Sequence, residues 1–202
     1  MNAPRQNLRR FVALWASATV VFLGLAHPVY ADPFGGCYGP YGAEGCIADP
    51  GSHTFCFGAG FDTSLHDEAE YAMYVSLEAD TQVDVSFDAT CFASGTDVQW
   101  FDANLSPGVR GDFLCTNLGS GVCHAYRVRL DPAEINMGSN DAEDRLKTAC
   151  HEAGHTVGLE HGAAHNNNNK IDCMKSGEVP GTSPQWRTFS GHHINDHINP
   201  TY

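Results

Sequence analysis

The sequence predicts a single α+β domain in which a small sheet packs against two main helices. Two segments, 65–79 and 141–157, carry apolar residues at helical spacing, and short strand-like runs lie between them. The chain shows no internal repeat and no sign of a second domain. Its 202 residues suffice for an export leader and one domain with its own hydrophobic core.

The N-terminus is typical of a signal peptide spanning 1–31. Three arginines precede an apolar stretch over 11–25, and a small-residue cleavage site follows at 29–31. The apolar stretch, at about fifteen residues, is short for a membrane span, so we expect cleavage rather than an uncleaved anchor. We therefore expect a secreted, extracellular protein with no membrane contact after the signal is removed.

Residues 32–52 are rich in Gly, Pro and Tyr and are predicted to form a disulfide-tied N-terminal arm before a domain over 53–202. All eight cysteines follow the leader, and an even number in an exported chain indicates disulfides. Eight cysteines allow 105 pairings, and zinc-binding cysteines are the alternative, although no Cys-x-x-Cys pair occurs. The pairs we expect are Cys37–Cys46, Cys56–Cys91, Cys115–Cys123 and Cys150–Cys173.

The segment 65–79 is predicted to be a helix, because acidic residues occupy its first turn and apolar residues recur at helical spacing. The residues expected to face the sheet are Leu65, Ala69, Ala72, Met73 and Leu77. Strand-like runs follow at 83–87, 98–101 and 124–130. The best candidate for an edge strand is 125–130, although the same run would also suit an inner strand.

The second helix is predicted from a capping signal and an apolar stripe. Asn140 and Glu143 have the spacing of a capping box. Four apolar residues then fall on one side of the helix: Leu146, Ala149, Ala153 and Val157. We expect this side to be buried and the opposite side to face a cleft.

The cleft side carries the most informative motif, since 151–161 read His-Glu-Ala-Gly-His-Thr-Val-Gly-Leu-Glu-His. His151 and His155 are four apart, so both imidazoles project from one face of the helix. Gly158 can end the helix in a left-handed conformation and turn His161 back toward the same point. Three imidazoles leave a fourth position open, which is typical of catalytic rather than structural zinc. An ordinary polar helix face is the alternative, but it does not require this spacing.

Glu152 supplies the remaining chemistry that the motif predicts. Zinc held by three neutral imidazoles lowers the pKa of a bound water to about 7 and polarises a carbonyl. Glu152 is too close to His151 in sequence to ligate on the same side, but it can take the proton of that water and pass it to a leaving amine. The motif therefore predicts one catalytic Zn²⁺ and hydrolysis of an amide bond.

Residues 151–161 resemble the signature of the metzincin clan of zinc metallopeptidases at every fixed position. The clan has a methionine turn after the third histidine, and Met174 would form that apolar floor here. The resemblance is strongest over 141–176 and extends to small secreted snapalysin-like bacterial enzymes, although those carry Asp where this chain has His161. Several metzincin families have a tyrosine two residues after the methionine, where this chain has Ser176.

This resemblance implies a zincin-like fold. Two main helices would lie above the cleft on a twisted mixed sheet, and a small C-terminal subdomain would end in a last helix. It also implies that an edge strand binds the substrate peptide by strand addition. The pair Cys150–Cys173 would then tie the zinc helix to the methionine turn.

The charge of the chain argues against nucleic acid and anionic membranes as partners. There are 11 Lys and Arg against 24 Asp and Glu, for a formal charge of −13. Loss of the leader arginines Arg5, Arg9 and Arg10 takes this to −16. An acidic surface keeps a secreted protein soluble and monomeric, and it could also favour basic substrates.

The C-terminal part of the chain offers weaker candidates. A four-asparagine run at 166–169 reads as a polar loop, and a calcium site there with Asp172 has little support because spaced carboxylates are absent. We expect a specificity pocket shaped by 175–190, which contains Trp186 and Phe189.

Three histidines near the C-terminus, His192, His193 and His197, allow two interpretations. They could form a second metal site or a substrate-side histidine. The favoured alternative is a last helix with the histidines exposed and with Ile194 and Ile198 packed inward.

The sequence therefore predicts a secreted zinc endopeptidase that uses His151, His155 and His161 as ligands, Glu152 as general base and Met174 as the floor of the site. Its expected partners are protein or peptide substrates. The rival hypothesis is a secreted zinc-binding module without catalysis, which the presence of Glu152 disfavours. Hydrolysis of a non-peptide amide is a third option.

Overall fold

The computed structural model describes residues 46–49, 51–91, 95–160 and 172–202. Within these ranges the chain forms a five-stranded mixed sheet in the order β2-β1-β3-β5-β4. The strands are β1 (Ser52–Phe57), β2 (Asp84–Phe87), β3 (Val98–Asp102), β4 (Gly111–Gly119) and β5 (Val122–Leu130). Strands β2, β1, β3 and β5 are parallel neighbours, and β4 pairs antiparallel with β5 at one edge.

Two main helical segments pack with the sheet. The first begins with a 3₁₀ turn (Thr63–Leu65), continues as α1 (His66–Glu70) and ends as a π-helical stretch (Tyr71–Glu78). The second is preceded by the short α2 (Pro132–Ile135) and is α3 (Asp141–Thr156). A 3₁₀ turn (Pro184–Arg187), a π-helical stretch (His193–Ile198) and α4 (Asn199–Thr201) follow. The α+β class and the two main helices agree with the prediction.

Three of the five strands were predicted, and of the two positions considered for 125–130 the inner one is correct and the edge one is wrong. The predicted run 125–130 belongs to β5, which is an inner strand between β3 and β4. The edge beside α3 is β4, which joins β5 through Ser120 and Gly121, both with positive φ (55° and 80°). Such a pair is the signature of a two-residue type I′ hairpin turn, so the Ser-Gly dipeptide was the signal that could have located β4.

The helices and strands share one hydrophobic core. The five apolar residues predicted to face inward from the first helix are all fully buried: Leu65, Ala69, Ala72, Met73 and Leu77. Helix α3 adds Ala149 and Ala153 to the same core, and its C-cap Val157 joins them, as predicted, whereas Leu146 is only half-buried and lies outside it. The buried face of α3 therefore differs slightly from the predicted one, because Cys150 belongs to the core and Leu146 does not.

A buried histidine links the sheet to the end of α3. His53 on β1 has no exposed surface, and its Nε2 donates a hydrogen bond to the carbonyl oxygen of Thr156 at 3.2 Å. Burial lowers the pKa of His53, and the carboxylate of Asp97 opposes that shift only in part. The folded protein therefore holds this side chain neutral.

We expect the stability of the protein to fall as the pH drops below the ordinary histidine value of about 6.5. In that range the unfolded chain binds a proton at His53 that the folded protein does not bind, so acid favours unfolding. His53→Gln keeps a donor for Thr156 but removes the titrating group. Urea unfolding between about pH 7.5 and 5.5 should therefore show a smaller loss of stability in the variant than in the wild type. Equal losses would contradict this assignment.

Three disulfides cross-link the described residues: Cys56–Cys91, Cys115–Cys123 and Cys150–Cys173. They are three of the four expected pairs. Cys46 is disulfide-bonded as well, but its expected partner Cys37 lies outside the described residues, as do the leader 1–31 and most of the arm. Within the described ranges, no helix has the length and apolar character needed to cross a membrane.

Candidate metal centre

Helix α3 is anchored at its start by the segment that follows the methionine turn. The predicted capping box is wrong, because the Asn140 side chain makes no capping hydrogen bond and instead donates to the carbonyl oxygen of Val179 at 3.0 Å. Glu143 accepts from Arg187 Nε at 2.8 Å rather than folding back onto the helix. Long-range partners have thus replaced the local cap that the spacing suggested.

The two helical histidines lie side by side, as predicted. The ring centroids of His151 and His155 are 4.8 Å apart, and the rings meet edge to face at 85°. Both side chains are almost completely buried, with 7% and 2% of their surface exposed. Their i, i+4 spacing on α3 therefore brings two imidazoles to one sheltered place.

Backbone carbonyls select the nitrogen that each histidine can offer to a metal. His151 Nδ1 donates to the carbonyl oxygen of Cys173 at 2.9 Å, and His155 Nδ1 donates to that of Leu159 at 2.6 Å. A neutral ring that donates from Nδ1 carries its lone pair on Nε2. Zinc-ligating histidines are commonly oriented through such an outer hydrogen bond, so this donor set fits Zn²⁺.

The chain turns sharply after α3 in the way the sequence predicts. Gly158 has φ of 92°, in the left-handed region that favours glycine. The third expected ligand, His161, lies outside the described residues. Among the residues that are described, no group of three or more His, Cys, Asp or Glu side chains is arranged to hold a metal ion.

Met174 packs directly against the backbone of α3 between the two histidines. It is fully buried, and its sulfur lies so near Gly154 that a Cβ at that position would overlap it. The ring of Phe189 also packs against Gly154, and its Cε1 would lie only 2.8 Å from a Cβ at that position. The absence of a side chain at Gly154 therefore lets the methionine turn approach the helix.

We expect Gly154→Ala to push Met174 and Phe189 away from α3. Overpacking of a well-filled core costs about 1–3 kcal/mol of stability. Denaturant unfolding should show a loss of this size. Gly191→Ala is a matched control because the nearest atom to its new Cβ, Asn195 Nδ2, is 3.6 Å away. If both variants were as stable as the wild type, the close packing of Met174 would be contradicted.

Glu152 is enclosed between α3 and strand β4. Only 4% of its surface is exposed, and burial raises the pKa of its carboxyl group to about 8. The carboxylate of Asp112 on β4 raises the pKa further, whereas the ammonium group of Lys147 lowers it. A dication held by the neighbouring histidines would favour the ionised carboxylate in the same way that Lys147 does.

Strand β4 contributes two residues to the site that the sequence did not suggest. Gly111 lies against the side chain of Glu152. Phe113 stacks on His155, with ring centroids 4.3 Å apart and planes inclined by 19°. Both were missed because the strand itself was not recognised.

The C-terminal histidines differ from the favoured prediction, because none of the three is exposed and His192 and His197 are half-buried. His193 is buried rather than exposed, and its Nδ1 lies 2.7 Å from Asp172 Oδ2. The other oxygen of Asp172 accepts from the backbone N–H of Met174 at 3.0 Å. Asp172 therefore joins the last helical stretch to the methionine turn. The asparagine run 166–169, which was considered with Asp172 as a calcium site, lies outside the described residues.

The other two C-terminal histidines, His192 and His197, lie next to each other. His192 forms a pair with Asp196 at 2.6 Å, and His197 lies 4.8 Å from the ring of His192. The two aromatic residues named for the specificity pocket, Trp186 and Phe189, are 5% and 4% exposed and thus largely buried. Phe189 belongs to the hydrophobic core, and the specificity pocket expected over 175–190 stays a prediction.

Comparison with known proteins gives little further guidance. No protein-family model matches the chain, and no curated protein is similar to it in sequence. Among solved structures, that of myroilysin is similar with a TM-score of 0.38 and 13% identity, over 75% of this chain and 69% of that chain. A likeness at this level determines neither the fold nor the function of this chain.

Proposed function

We propose that the protein is a secreted zinc-dependent endopeptidase. The observation that carries the proposal is the pair of buried histidines on α3, whose Nδ1 atoms both donate hydrogen bonds to backbone carbonyls. Glu152 is buried beside them. His151, His155 and His161 would hold one Zn²⁺ through imidazole nitrogens. Bound zinc would supply Lewis acidity toward a water molecule and a substrate carbonyl.

Glu152 acts as the general base and then as the general acid. Its buried carboxylate accepts the proton of the attacking water and delivers it to the nitrogen of the leaving amine. The surrounding wall of α3 and β4 excludes bulk water from this transfer, which strengthens the electrostatic interactions of the site. Ser176, where several related enzyme families have a tyrosine, is exposed. No tyrosine at that position therefore takes part in the proposed mechanism.

Strand β4 is the best support for a peptide substrate. Among the described residues it is the last strand of the sheet on this side, and the outer backbone groups of an edge strand can pair with an extended chain. Gly111 and Phe113 place that edge against Glu152 and His155. A peptide added to β4 would therefore run past the proposed catalytic groups, whereas a small amide would not use the edge.

The test is cleavage of a broad peptide library and of casein by the mature, oxidised protein. We expect cleavage that a zinc chelator abolishes and that added Zn²⁺ restores. The rival function, a zinc-binding module without catalysis, predicts bound zinc with no cleavage of any substrate. Cleavage that continued unchanged in the chelator would contradict a zinc mechanism. Size-exclusion chromatography of the same sample should show a monomer.

A further inference from the structure

We propose that strand β4 positions the catalytic groups themselves, with Gly111 setting the place of the Glu152 side chain and Phe113 holding the ring of His155. The roles of Glu152 and His155 rest on the proposed function, but their positions rest on contacts within the described residues. Gly111 and Phe113 are two apart on one strand, so they lie on the same face, the one turned toward α3.

Gly111 matters because of the space it leaves. A Cβ at this position would lie 2.7 Å from Oε1, 2.9 Å from Cγ and 3.0 Å from Cδ of Glu152. The contact includes Cγ, so turning the carboxylate alone does not relieve it. Gly111 is not among the glycines with positive φ, and its backbone conformation is therefore open to any residue. The requirement for glycine here is one of space rather than of conformation.

The strand that carries Gly111 is held firmly in place. Gly111 is paired with the fully buried Leu130 on β5. The next residue, Asp112, accepts from Arg129 Nε at 2.7 Å and also from the second guanidinium nitrogen of the same side chain. A bidentate pair of this kind resists sliding of one strand along the other. A side chain introduced at Gly111 would therefore displace Glu152 rather than the strand.

Phe113 restrains the imidazole ring of His155. Its ring covers one face of His155 at a centroid distance of 4.3 Å. The edge of His155 is held by the hydrogen bond from Nδ1 to the Leu159 carbonyl. With one face and one edge restrained, the direction of Nε2 is defined. The apolar ring also keeps water away from the imidazole, which matters because the apolar surroundings of a metal site govern its solvent access.

A simpler role for β4 is to serve only as the edge that pairs with substrate. In that case substitutions at Gly111 and Phe113 would raise KM and leave kcat and zinc affinity unchanged. The positioning role predicts different changes. Displacement of Glu152 lowers kcat without affecting zinc, whereas loss of the ring beside His155 weakens zinc binding even without substrate.

The experiment compares Gly111→Ala, Phe113→Ala and Phe113→Tyr with Gly191→Ala, where a new Cβ has room. We expect Gly111→Ala to lower kcat about a hundredfold with zinc affinity within about threefold of wild type. We expect Phe113→Ala to weaken zinc binding about 10- to 100-fold in chelator competition, and Phe113→Tyr to restore most of it. Thermal unfolding of each variant verifies that it is folded.

Crystal structures of Gly111→Ala and Phe113→Ala supply a readout that does not depend on activity. They should show the Glu152 carboxylate and the His155 ring, respectively, displaced from their wild-type positions. If the wild type cleaves no substrate, the proposed function fails. The positions of the two side chains and the zinc affinities still test whether β4 positions them. Unmoved side chains with wild-type zinc affinity, or a change in KM alone, would overturn the positioning role.

Discussion

Replacement of Glu152 by glutamine is expected to leave zinc bound and to reduce peptide cleavage about a thousandfold. Glutamine has nearly the same shape, so it fits the space between α3 and Gly111 that the carboxylate occupies. It cannot accept and release a proton, so the general base is lost. The metal ligands are untouched, because both described histidines are oriented by carbonyls of Cys173 and Leu159 rather than by Glu152.

The measurement is kcat/KM on a peptide found in the library, together with zinc content of the same preparation. Glu70→Gln, which makes the same chemical change on an exposed part of α1, serves as the matched control and should cleave normally. A Glu152→Gln protein that still cleaved casein at the wild-type rate would show that the assigned mechanism is wrong. A protein that lost its zinc would instead point to a structural role for Glu152.

Removal of the Cys150–Cys173 disulfide is expected to weaken both the fold and the metal site. The bridge closes a separation of 23 residues, for which loop-closure entropy gives about 3.5 kcal/mol. It also ties the residue before His151 to the residue whose carbonyl accepts from His151 Nδ1. The double variant with alanine at both positions should therefore lose that stability and bind zinc about 10- to 100-fold more weakly.

The disulfide Cys56–Cys91 provides a control that separates these two effects. It closes a separation of 35 residues, so its removal should cost about as much stability, near 4 kcal/mol. It links β1 to the segment after β2 and has no contact with α3 among the interactions described. Urea unfolding and chelator competition on both double variants are the measurements. If the two double variants lost zinc affinity equally, the loss would follow from reduced stability alone and not from the position of the Cys150–Cys173 bridge.

Features set by local periodicity could be predicted from the sequence. Helix α3 and its histidine pair follow from i, i+4 spacing, and the left-handed Gly158 follows from glycine's tolerance of positive φ. The five inward-facing residues of the first helix were found by the same rule. The local sequence alone determines such features, because each depends on residues within a turn or two of one another.

Features set by long-range contacts could not be predicted. Strand β4 is half-exposed and has little apolar alternation, so its place beside α3 depends on its pairing with β5. The burial of His193 depends on Asp172, 21 positions earlier in the chain. Asn140 has the right spacing for a cap, but its side chain donates to the carbonyl oxygen of Val179 instead. In each case a distant partner outweighs the local signal.

We propose that the histidines of α3 hold a catalytic zinc ion. Anomalous diffraction at the zinc edge, from crystals of the mature, oxidised protein, would locate such an ion directly. We expect a single peak beside Nε2 of His151 and His155, with metal–nitrogen distances of about 2.0–2.1 Å and with His161 as the third protein ligand. A peak at another place, or a fourth protein ligand that closes the site, would contradict it.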